Sequence, residues 1–225
     1  MLKPLCLKSV LFLTAFFLAF PNMPVRADQP IPGPITTLLS FFASSFNPPG
    51  EGAPQRTVPA GSRDGARCPS DTTPMRPLMP EENYGLTASA RPTIWMKMPN
   101  TEAQEILLVL QTEAGIEHSR TQLLIPEATE QGLVQLQLPE TTAELTPGEN
   151  YRWTLSILCE GYLNPSDPFF SGWVKRVNYS PKIAQSLSNE SIANQVSILQ
   201  EAGYWYDMLP LILQNQDMFN SIGIL

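Results

Sequence analysis

Residue types that usually carry catalysis are sparse in this chain of 225 residues. It has one histidine, His118, within the polar run Glu117-His118-Ser119-Arg120-Thr121, so most zinc, haem and histidine-based catalytic sites are excluded. We interpret His118 as a surface or cross-strand residue rather than a general base. The chain also lacks a glycine-rich dinucleotide loop, a phosphate loop with its lysine and a Cys-x-x-Cys pair. We therefore expect no cofactor, no metal site and no catalytic residue, in a protein that is not an enzyme.

Carboxylates next to loops are the remaining candidates for catalysis: Glu81, Glu82, Glu160 and Asp167. Two of them facing one cleft would have the arrangement that glycosidases use. Nothing in their spacing requires such a pair. A carboxylate-based hydrolase is therefore the less favoured alternative.

The first 27 residues have the pattern of an export signal. Lys3 and Lys8 precede an apolar run over 10–20, and Met23-Pro24-Val25-Arg26-Ala27 ends in the short residues that a signal peptidase recognises. We predict cleavage between Ala27 and Asp28 and export to the periplasm or the extracellular space. The alternative is an uncleaved membrane anchor, but spanning a bilayer takes about 20 apolar residues and this run has about half of that. We therefore expect no stable membrane span after signal cleavage.

Cleavage would remove Cys6 and leave Cys68 and Cys159 as a pair. In an oxidising compartment such a pair predicts a disulfide, and the alternative is that one or both are small buried apolar residues. The chain is also acidic, with a formal net charge of −7, and cleavage would remove three basic residues and no acidic one. Because nucleic-acid binding depends on Lys and Arg contacts with phosphates, we expect no nucleic-acid partner.

Residues 28–80 contain 11 prolines and predict an extended arm or linker. One short helix is predicted over 35–46, where apolar residues share a face: Ile35, Leu38, Leu39, Phe42 and Phe46. This helix either docks on its own domain, is disordered, or waits for a partner or a membrane surface. Arg56, Arg63 and Arg67 form a local basic patch, which is either a solvated arm or a contact site for an acidic partner.

Between residues 81 and 178 the pattern changes to the period of two that strands show. Apolar and polar residues alternate over Thr93–Met98, and Ile106–Leu110 is apolar throughout, as in a strand covered on both faces. Further strands are predicted over 117–125, 133–138, 151–159 and 169–177. Six or seven short strands separated by turns, without a helical pattern between them, predict a mainly β domain that folds as an antiparallel sandwich.

A turn motif narrows this fold class. Leu145, Pro147, Gly148 and Tyr151 have the spacing of the tyrosine corner in immunoglobulin-like and fibronectin type III sandwiches, where the tyrosine hydroxyl hydrogen-bonds to backbone. The motif therefore favours an immunoglobulin-like or fibronectin III-like sandwich. It says nothing about function, because one fold carries many functions.

The final segment, residues 179–225, predicts a helical hairpin. Ser180-Pro181 is a favourable helix start, Gly203 interrupts the pattern, and Pro210 must kink or end any helix it enters. We expect this extension to pack on the sandwich, covering the outer side of Ile106–Leu110 and Trp95.

Aromatic side chains are the best candidates for binding. Strand parity places Trp153 and Trp173 in the core, and leaves Trp95, Tyr204 and Trp205 as candidates for partner contacts. If these three side chains pack against one another, no partner is needed to explain their presence. A glycan-binding module remains an alternative, distinguished by a row of exposed tryptophans on one sheet face.

Several motifs, taken in order, carry a resemblance to a known family: residues 56–68, Leu86-Thr87, Arg91-Pro92-Thr93-Ile94-Trp95, Tyr151-Arg152-Trp153 through Cys159, Gly172-Trp173-Val174 and Ala202-Gly203-Tyr204-Trp205-Tyr206-Asp207. Over residues 56–223 the chain resembles the exported family of unknown function numbered 928, found mostly in cyanobacteria. Members of that family tend to accompany secretion and sensor-type proteins, so the resemblance implies an accessory role outside the inner membrane. We expect an exported, non-enzymatic accessory or binding protein of the cell envelope with a protein partner.

Overall fold

A computed structural model of the chain describes Phe46, Pro54, Cys68, 75–129 and 132–221. These residues belong to one unit, Pro32–Leu225, and the other unit, Met1–Ile31, lies outside the described residues. Several predictions concern residues outside the described set: the cleavage site Ala27–Asp28, the helix over 35–46 except for Phe46, and the basic patch of Arg56, Arg63 and Arg67.

Among the residues that the structure describes, eight strands form two sheets. The strands are β1 Arg76–Pro77, β2 Tyr84–Thr87, β3 Thr93–Lys97, β4 Glu105–Thr112, β5 Glu117–Leu124, β6 Leu133–Gln137, β7 Asn150–Ile157 and β8 Phe169–Arg176. A three-stranded sheet has the order β1-β3-β6, and a five-stranded sheet has the order β2-β8-β7-β4-β5. The prediction of a mainly β domain is confirmed, and strands β3 to β8 lie within two residues of the predicted segments.

One strand pair departs from the predicted topology. Strand β2 runs parallel to β8, with Tyr84 opposite Trp173 and Thr87 opposite Arg176, whereas every other described pair is antiparallel. The expectation of a purely antiparallel sandwich is therefore wrong at this edge. A parallel pair needs a long connection, and the residues between β2 and β8 provide one. The apolar pattern of a strand records which faces are buried, but not the direction of its neighbour.

The extended arm predicted over residues 28–80 ends before residue 80. Strand β1, Arg76–Pro77, lies inside that segment and pairs with β3 at the edge of the smaller sheet. Proline is tolerated on edge strands because the missing N–H would face away from the sheet. The last part of the arm is therefore part of the sandwich.

The two sheets share one hydrophobic core. Alternate residues of four strands are buried in it: Ile94 and Met96 of β3, Ile106, Leu108 and Leu110 of β4, Val134 and Leu136 of β6, and Tyr151, Trp153, Leu155 and Ile157 of β7. This alternation is the reason that the sequence pattern locates these strands correctly.

Four helices follow the last strand: α1 Pro181–Asn189, α2 Ile192–Glu201, α3 Trp205–Gln214 and α4 Gln216–Ser221. Ser180 and Ser191 cap the first two, each accepting a hydrogen bond from a backbone N–H three residues later. Helix α3 continues through Pro210. The predicted hairpin is thus a set of four helices.

Helix α3 packs on β2 and β3. The Nε1 of Trp153, a core residue of β7, donates to the hydroxyl of Tyr206, so α3 lies on the inner side of the larger sheet. A Cβ added at Gly85 would lie 2.6 Å from the Cβ of Trp205, so this glycine permits the close approach of β2 and α3. The expectation that the helices cover the outer side of Ile106–Leu110 is wrong. Helix α3 buries Trp205, Tyr206, Met208, Leu209 and Ile212, which form one broad face, and this face packs into the core.

Candidate functional site

The disulfide between Cys68 and Cys159 joins the proline-rich segment to the end of β7, with the two Cα atoms 5.2 Å apart. The hydroxyl of Thr101 donates to the carbonyl of Cys68 at 3.0 Å, which adds a second tie at this point. The predicted bridge is therefore present. It anchors the start of the connection between β7 and β8.

The turn motif before β7 has a structural role. The Tyr151 hydroxyl accepts a hydrogen bond from the backbone N–H of Thr146 at 3.1 Å and donates to the Glu149 carboxylate at 3.1 Å. Leu145 is fully buried, and Pro147 and Gly148 form the turn, with Gly148 at a φ of +90°. The ring of His118 packs on Tyr151 with 4.6 Å between centroids. This region connects β6 of the smaller sheet to β7 of the larger one.

Most of the aromatic candidates lie inside the protein. Trp153 and Trp173 are buried as predicted, and Trp95 is half-buried. Tyr204 and Trp205 are also buried, and the indole of Trp205 contacts Phe46 edge-on and donates to the carbonyl of Leu78 at 2.8 Å. The prediction of Tyr204 and Trp205 as partner contacts is wrong, because α3 is part of the core.

Asp207, in the first turn of α3, fastens that helix to the end of β2. Its carboxylate accepts hydrogen bonds from the hydroxyl of Thr87 at 2.6 Å, the N–H of Ala88 at 2.7 Å and the hydroxyl of Tyr179 at 2.8 Å. Burial raises the pKa of the Asp207 carboxyl, although the three donors act to lower it. Burial also raises the pKa of Tyr179, and the Asp207 carboxylate raises it further. Because both carboxylate oxygens have partners, Asp207 is a structural junction rather than a ligand site.

The connection between β7 and β8 contains a cavity of about 320 Å³. It is lined by three apolar side chains and three with side-chain oxygen atoms: Leu163, Pro165 and Phe169, and Ser156, Asn164 and Asp167. Ser156 is on the face of β7 opposite the core residues Leu155 and Ile157. The cavity is therefore on the outer side of the larger sheet, close to the disulfide.

Asp167 is the buried acid of this cavity, with a relative exposure of 1 %. Its Oδ2 accepts from the backbone N–H of Asn164 at 2.8 Å, and its own N–H donates to the Asn164 carbonyl at 3.1 Å. Its Oδ1 is buried and accepts no hydrogen bond from any residue that the structure describes. One carboxylate oxygen thus closes the turn Asn164-Pro165-Ser166-Asp167, and the other has unused acceptor capacity.

A family model for a domain of unknown function, DUF928, matches residues 58–221. The chain belongs to the DUF928 family. The matched region contains both bridged cysteines, all eight strands and the cavity. A comparison with curated proteins finds no match.

The surface beside the cavity of this DUF928 domain is apolar. Tyr162 and Leu163 are 60 % and 53 % exposed, and Tyr162 donates to Glu160 of the same loop. We call Tyr162 and Leu163 the loop pair. It is the most prominent exposed apolar feature close to the cavity.

Of the four loop acids considered from sequence, Asp167 alone lines the cavity. Glycoside hydrolysis uses two carboxyl groups, so this cavity lacks the arrangement expected of a hydrolase. No group of three or more His, Cys, Asp or Glu side chains that could hold a metal ion occurs among the described residues. Within the same residues, no helix has the length and apolar character needed to span a bilayer.

Sequence reasoning identified Asp167 as an acid next to a loop, but not the cavity that it lines. Ser156, Asn164 and Phe169 were not singled out. The available signal was the turn sequence Asn164-Pro165-Ser166-Asp167 directly after two adjacent large apolar residues in a loop.

Proposed function

We propose that this DUF928 protein is an exported, non-enzymatic accessory protein of the cell envelope that binds an envelope protein through the loop pair. The observation that carries the proposal is the disulfide between Cys68 and Cys159. Disulfides persist in oxidising compartments and are rare in the cytosol. The bridge therefore supports a location in the periplasm or outside the cell, in agreement with the signal pattern of the first 27 residues.

We further propose that the sandwich is of the immunoglobulin-like or fibronectin III-like kind. Two sheets around one core and the hydrogen bond from the Thr146 N–H to the Tyr151 hydroxyl support this assignment. Many domains of this architecture act as binding modules, but the fold alone does not identify a ligand. The binding site must be argued from the surface.

The loop pair supports protein binding. Tyr162 and Leu163 place an aromatic and an aliphatic side chain next to each other in solvent, just after Cys159, which the disulfide ties to the proline-rich segment. Buried aromatic and aliphatic anchors dominate many protein interfaces, and a rigid loop loses less conformational entropy on binding. We expect the partner to bury both side chains.

The glycan alternative is less well supported. A row of exposed tryptophans would distinguish it, but Trp153, Trp173 and Trp205 are buried. Tyr162 would be the exposed stacking face near the cavity. We therefore favour a protein partner.

Export is tested by fractionating cells that produce the full chain and mapping its peptides without reduction. We expect a protein outside the cytoplasm that begins at Asp28 and contains the linked peptides of Cys68 and Cys159. The control is Leu13→Arg, which interrupts the apolar run of the signal and should leave an uncleaved cytoplasmic chain. Full-length wild-type protein in the cytoplasm with free thiols would overturn the proposal.

Binding is tested by placing a photoreactive amino acid at Leu163 and, as a matched control, at Leu124, which is 73 % exposed at the end of β5. We expect a cross-linked envelope protein from position 163 and not from position 124. Retention on polysaccharide without any protein cross-link would instead favour the glycan alternative.

A further inference from the structure

Strand β5, Glu117–Leu124, is the longest open sheet edge in the part of the chain that the structure describes. The outermost strands of a sheet carry backbone N–H and C=O groups that are free to pair with another strand. The larger sheet ends at β2 and β5, and the smaller sheet ends at β1 and β6. Three of these four edges are short or partly occupied, whereas β5 is neither.

The other three edges are protected in different ways. Strand β1 has only two residues, and one of them is Pro77. At β2, the N–H of Leu86 donates to the carbonyl of Gly203 at 2.9 Å, so the chain before α3 occupies part of that edge. At β6, Leu133 is bonded to Thr129 through both its N–H and its carbonyl. Short strands, prolines and covered edges are the usual means by which sheets avoid pairing with other chains.

Strand β5 has none of these protections. Its eight residues include no proline and no lysine. The N–H of Ile125 donates to the carbonyl of Gln104 at 2.8 Å, and backbone direction alternates along an antiparallel strand. The backbone groups of Arg120, Gln122 and Leu124 therefore point away from β4. They form no hydrogen bond with any residue that the structure describes.

The outer side chains of β5 also have unused binding capacity. Leu124 is 73 % exposed, the highest value among the large apolar side chains that the structure describes, and lies opposite Glu105 of β4. Arg120 binds Glu117 through Nε and Nη2, and its Nη1 has no partner among the described residues. The same strand thus has an exposed apolar residue beside an acid and, four residues earlier, a cation with a free donor.

We propose that two copies of the chain pair antiparallel through β5, centred on Gln122, so that the two five-stranded sheets become one continuous sheet. In this register Gln122 lies opposite the partner's Gln122, and Arg120 lies opposite the partner's Leu124. Each of the three outward-facing residues then meets an outward-facing residue of the other copy, and both backbone groups of each are satisfied.

The side chains complement each other in this register. The aliphatic stem of Arg120 covers the partner's Leu124, and its Nη1 can reach the partner's Glu105, the cross-strand neighbour of that leucine. Centring the pair on Arg120 would instead oppose two arginines, and centring it on Thr121 would place Leu124 against His118, at the bulge of β5. A surface that complements itself about a twofold axis fits a second copy better than an unrelated strand.

The pairing is tested by sedimentation equilibrium of the purified full chain over a range of concentrations. Gln122→Pro removes the central outward N–H from each copy without removing a hydrogen bond to β4. The matched control is Gln135→Pro, since Gln135 is an exposed residue of β6 whose N–H also points away from its neighbouring strand.

We expect a monomer–dimer equilibrium for the wild type and for Gln135→Pro. The dissociation constant of Gln122→Pro should be at least about tenfold higher, because the dimer loses two hydrogen bonds at its centre. Circular dichroism establishes that both variants fold. A wild type that is monomeric at every concentration, or a folded Gln122→Pro variant that dimerises as well as the wild type, would overturn the proposal.

Charge reversal gives a second test that leaves the backbone unchanged. Arg120→Glu and Glu105→Arg each place like charges across the interface, and each should raise the dissociation constant by about threefold or more. The double variant restores opposite charges and should return to within about threefold of the wild type. Losses that simply add in the double variant would contradict the proposed register.

A photoreactive amino acid at Leu124 locates the contact on a mixture of isotopically labelled and unlabelled chains. We expect a link from position 124 to the peptide that contains the partner's Arg120, and no link between copies from position 163. This product is a dimer of the chain itself, which its mass distinguishes from the envelope protein expected at position 163, so the two proposals fail separately. Capture of a different protein at position 124, with no second copy, would overturn the pairing and identify a foreign strand as the occupant of β5.

Discussion

Asp207→Asn separates the charge of this buried carboxylate from its hydrogen bonds. In the wild type, Oδ1 accepts from Thr87, while Oδ2 accepts from Ala88 and Tyr179. An asparagine amide that keeps its oxygen in the Oδ2 position retains two of these bonds. Its NH2 group then faces the Thr87 hydroxyl, which is able to accept as well as donate.

We expect Asp207→Asn to change the free energy of unfolding by no more than about 1 kcal/mol at neutral pH. The lost charge-assisted bonds destabilise the variant, but removal of the buried charge compensates, since burial has the larger effect on the pKa of Asp207. Asp207→Ala is different, because the donors of Ala88 and Tyr179 lose their acceptor. At roughly 1 to 3 kcal/mol for each unsatisfied buried donor, we expect a loss of about 2 to 6 kcal/mol.

The assay is equilibrium unfolding in urea of the oxidised chain, followed by tryptophan fluorescence. Trp205 is two residues from the substitution and buried, so its emission should report the detachment of α3. The matched control is Asp217, an exposed acid in the first turn of α4. Asp217→Asn and Asp217→Ala should both lie within about 0.5 kcal/mol of the wild type.

The Asp207 carboxyl also makes the free energy of unfolding depend on pH. Its folded-state pKa is raised above the ordinary value of 3.8, so the native state binds a proton more tightly than the unfolded chain. Its contribution to stability is therefore greatest at low pH and decreases as pH rises from 3.8 through the folded-state pKa. The stability of the wild type relative to Asp207→Asn should fall with rising pH, which unfolding curves at several pH values measure directly.

Two results would refute this reasoning. One is a loss for Asp207→Asn as large as that for Asp207→Ala at neutral pH, which would mean that the charge itself is needed. The other is a wild-type advantage over Asp207→Asn that grows as pH rises. Either result would imply that the donors outweigh burial and that the folded-state pKa is lowered.

Three further substitutions test the packing and the ties of the sandwich. Gly172→Ala places a Cβ 2.3 Å from Cζ2 of the buried Trp153 indole. We therefore expect calorimetry to show a lower melting temperature and a free energy of unfolding that is lower by about 1 to 3 kcal/mol or more. An unchanged melting temperature would contradict the close packing of Gly172 on Trp153. Cys68→Ser combined with Cys159→Ser removes a disulfide that spans a sequence separation of 91 residues. The chain-entropy relation predicts that the free energy of unfolding, measured in urea, falls by about 4 to 5 kcal/mol. A decrease below about 1 kcal/mol would contradict this prediction. Tyr151→Phe removes the acceptor of a backbone N–H and should lower the free energy of unfolding by about 1 to 2 kcal/mol; a neutral result would show that water replaces the hydroxyl.

The strands were predictable because their signal is local. Residues of β3, β4, β6 and β7 alternate between the core and the opposite face, and this alternation is visible in the sequence at a period of two. The hydrogen-bonding partner of Tyr151 follows from the spacing of a short turn motif. These features depend on neighbours only a few residues away.

The site was only partly predictable, because it depends on residues that meet through folding. The sequence indicates Asp167 as a single acid next to a loop, but the cavity also needs Ser156 from β7 and Phe169 from β8. Likewise, nothing local connects Asp207 with Thr87, which lies 120 positions earlier. Burial of Trp205 could not be deduced either, since an aromatic residue at a helix start suits a surface as well as a core.

By itself, the sequence determined the class of the domain, the positions of six strands, the turn before β7 and the cysteine pair available for bridging. Each of these follows from residue type, short spacing or parity. Only the tertiary structure decided that β2 lies parallel to β8, that α3 belongs to the core, and that one oxygen of Asp167 is buried without a donor from the described chain. The physical reason is that direction, layer and burial are set by contacts between segments far apart in sequence, where many arrangements satisfy the same local pattern.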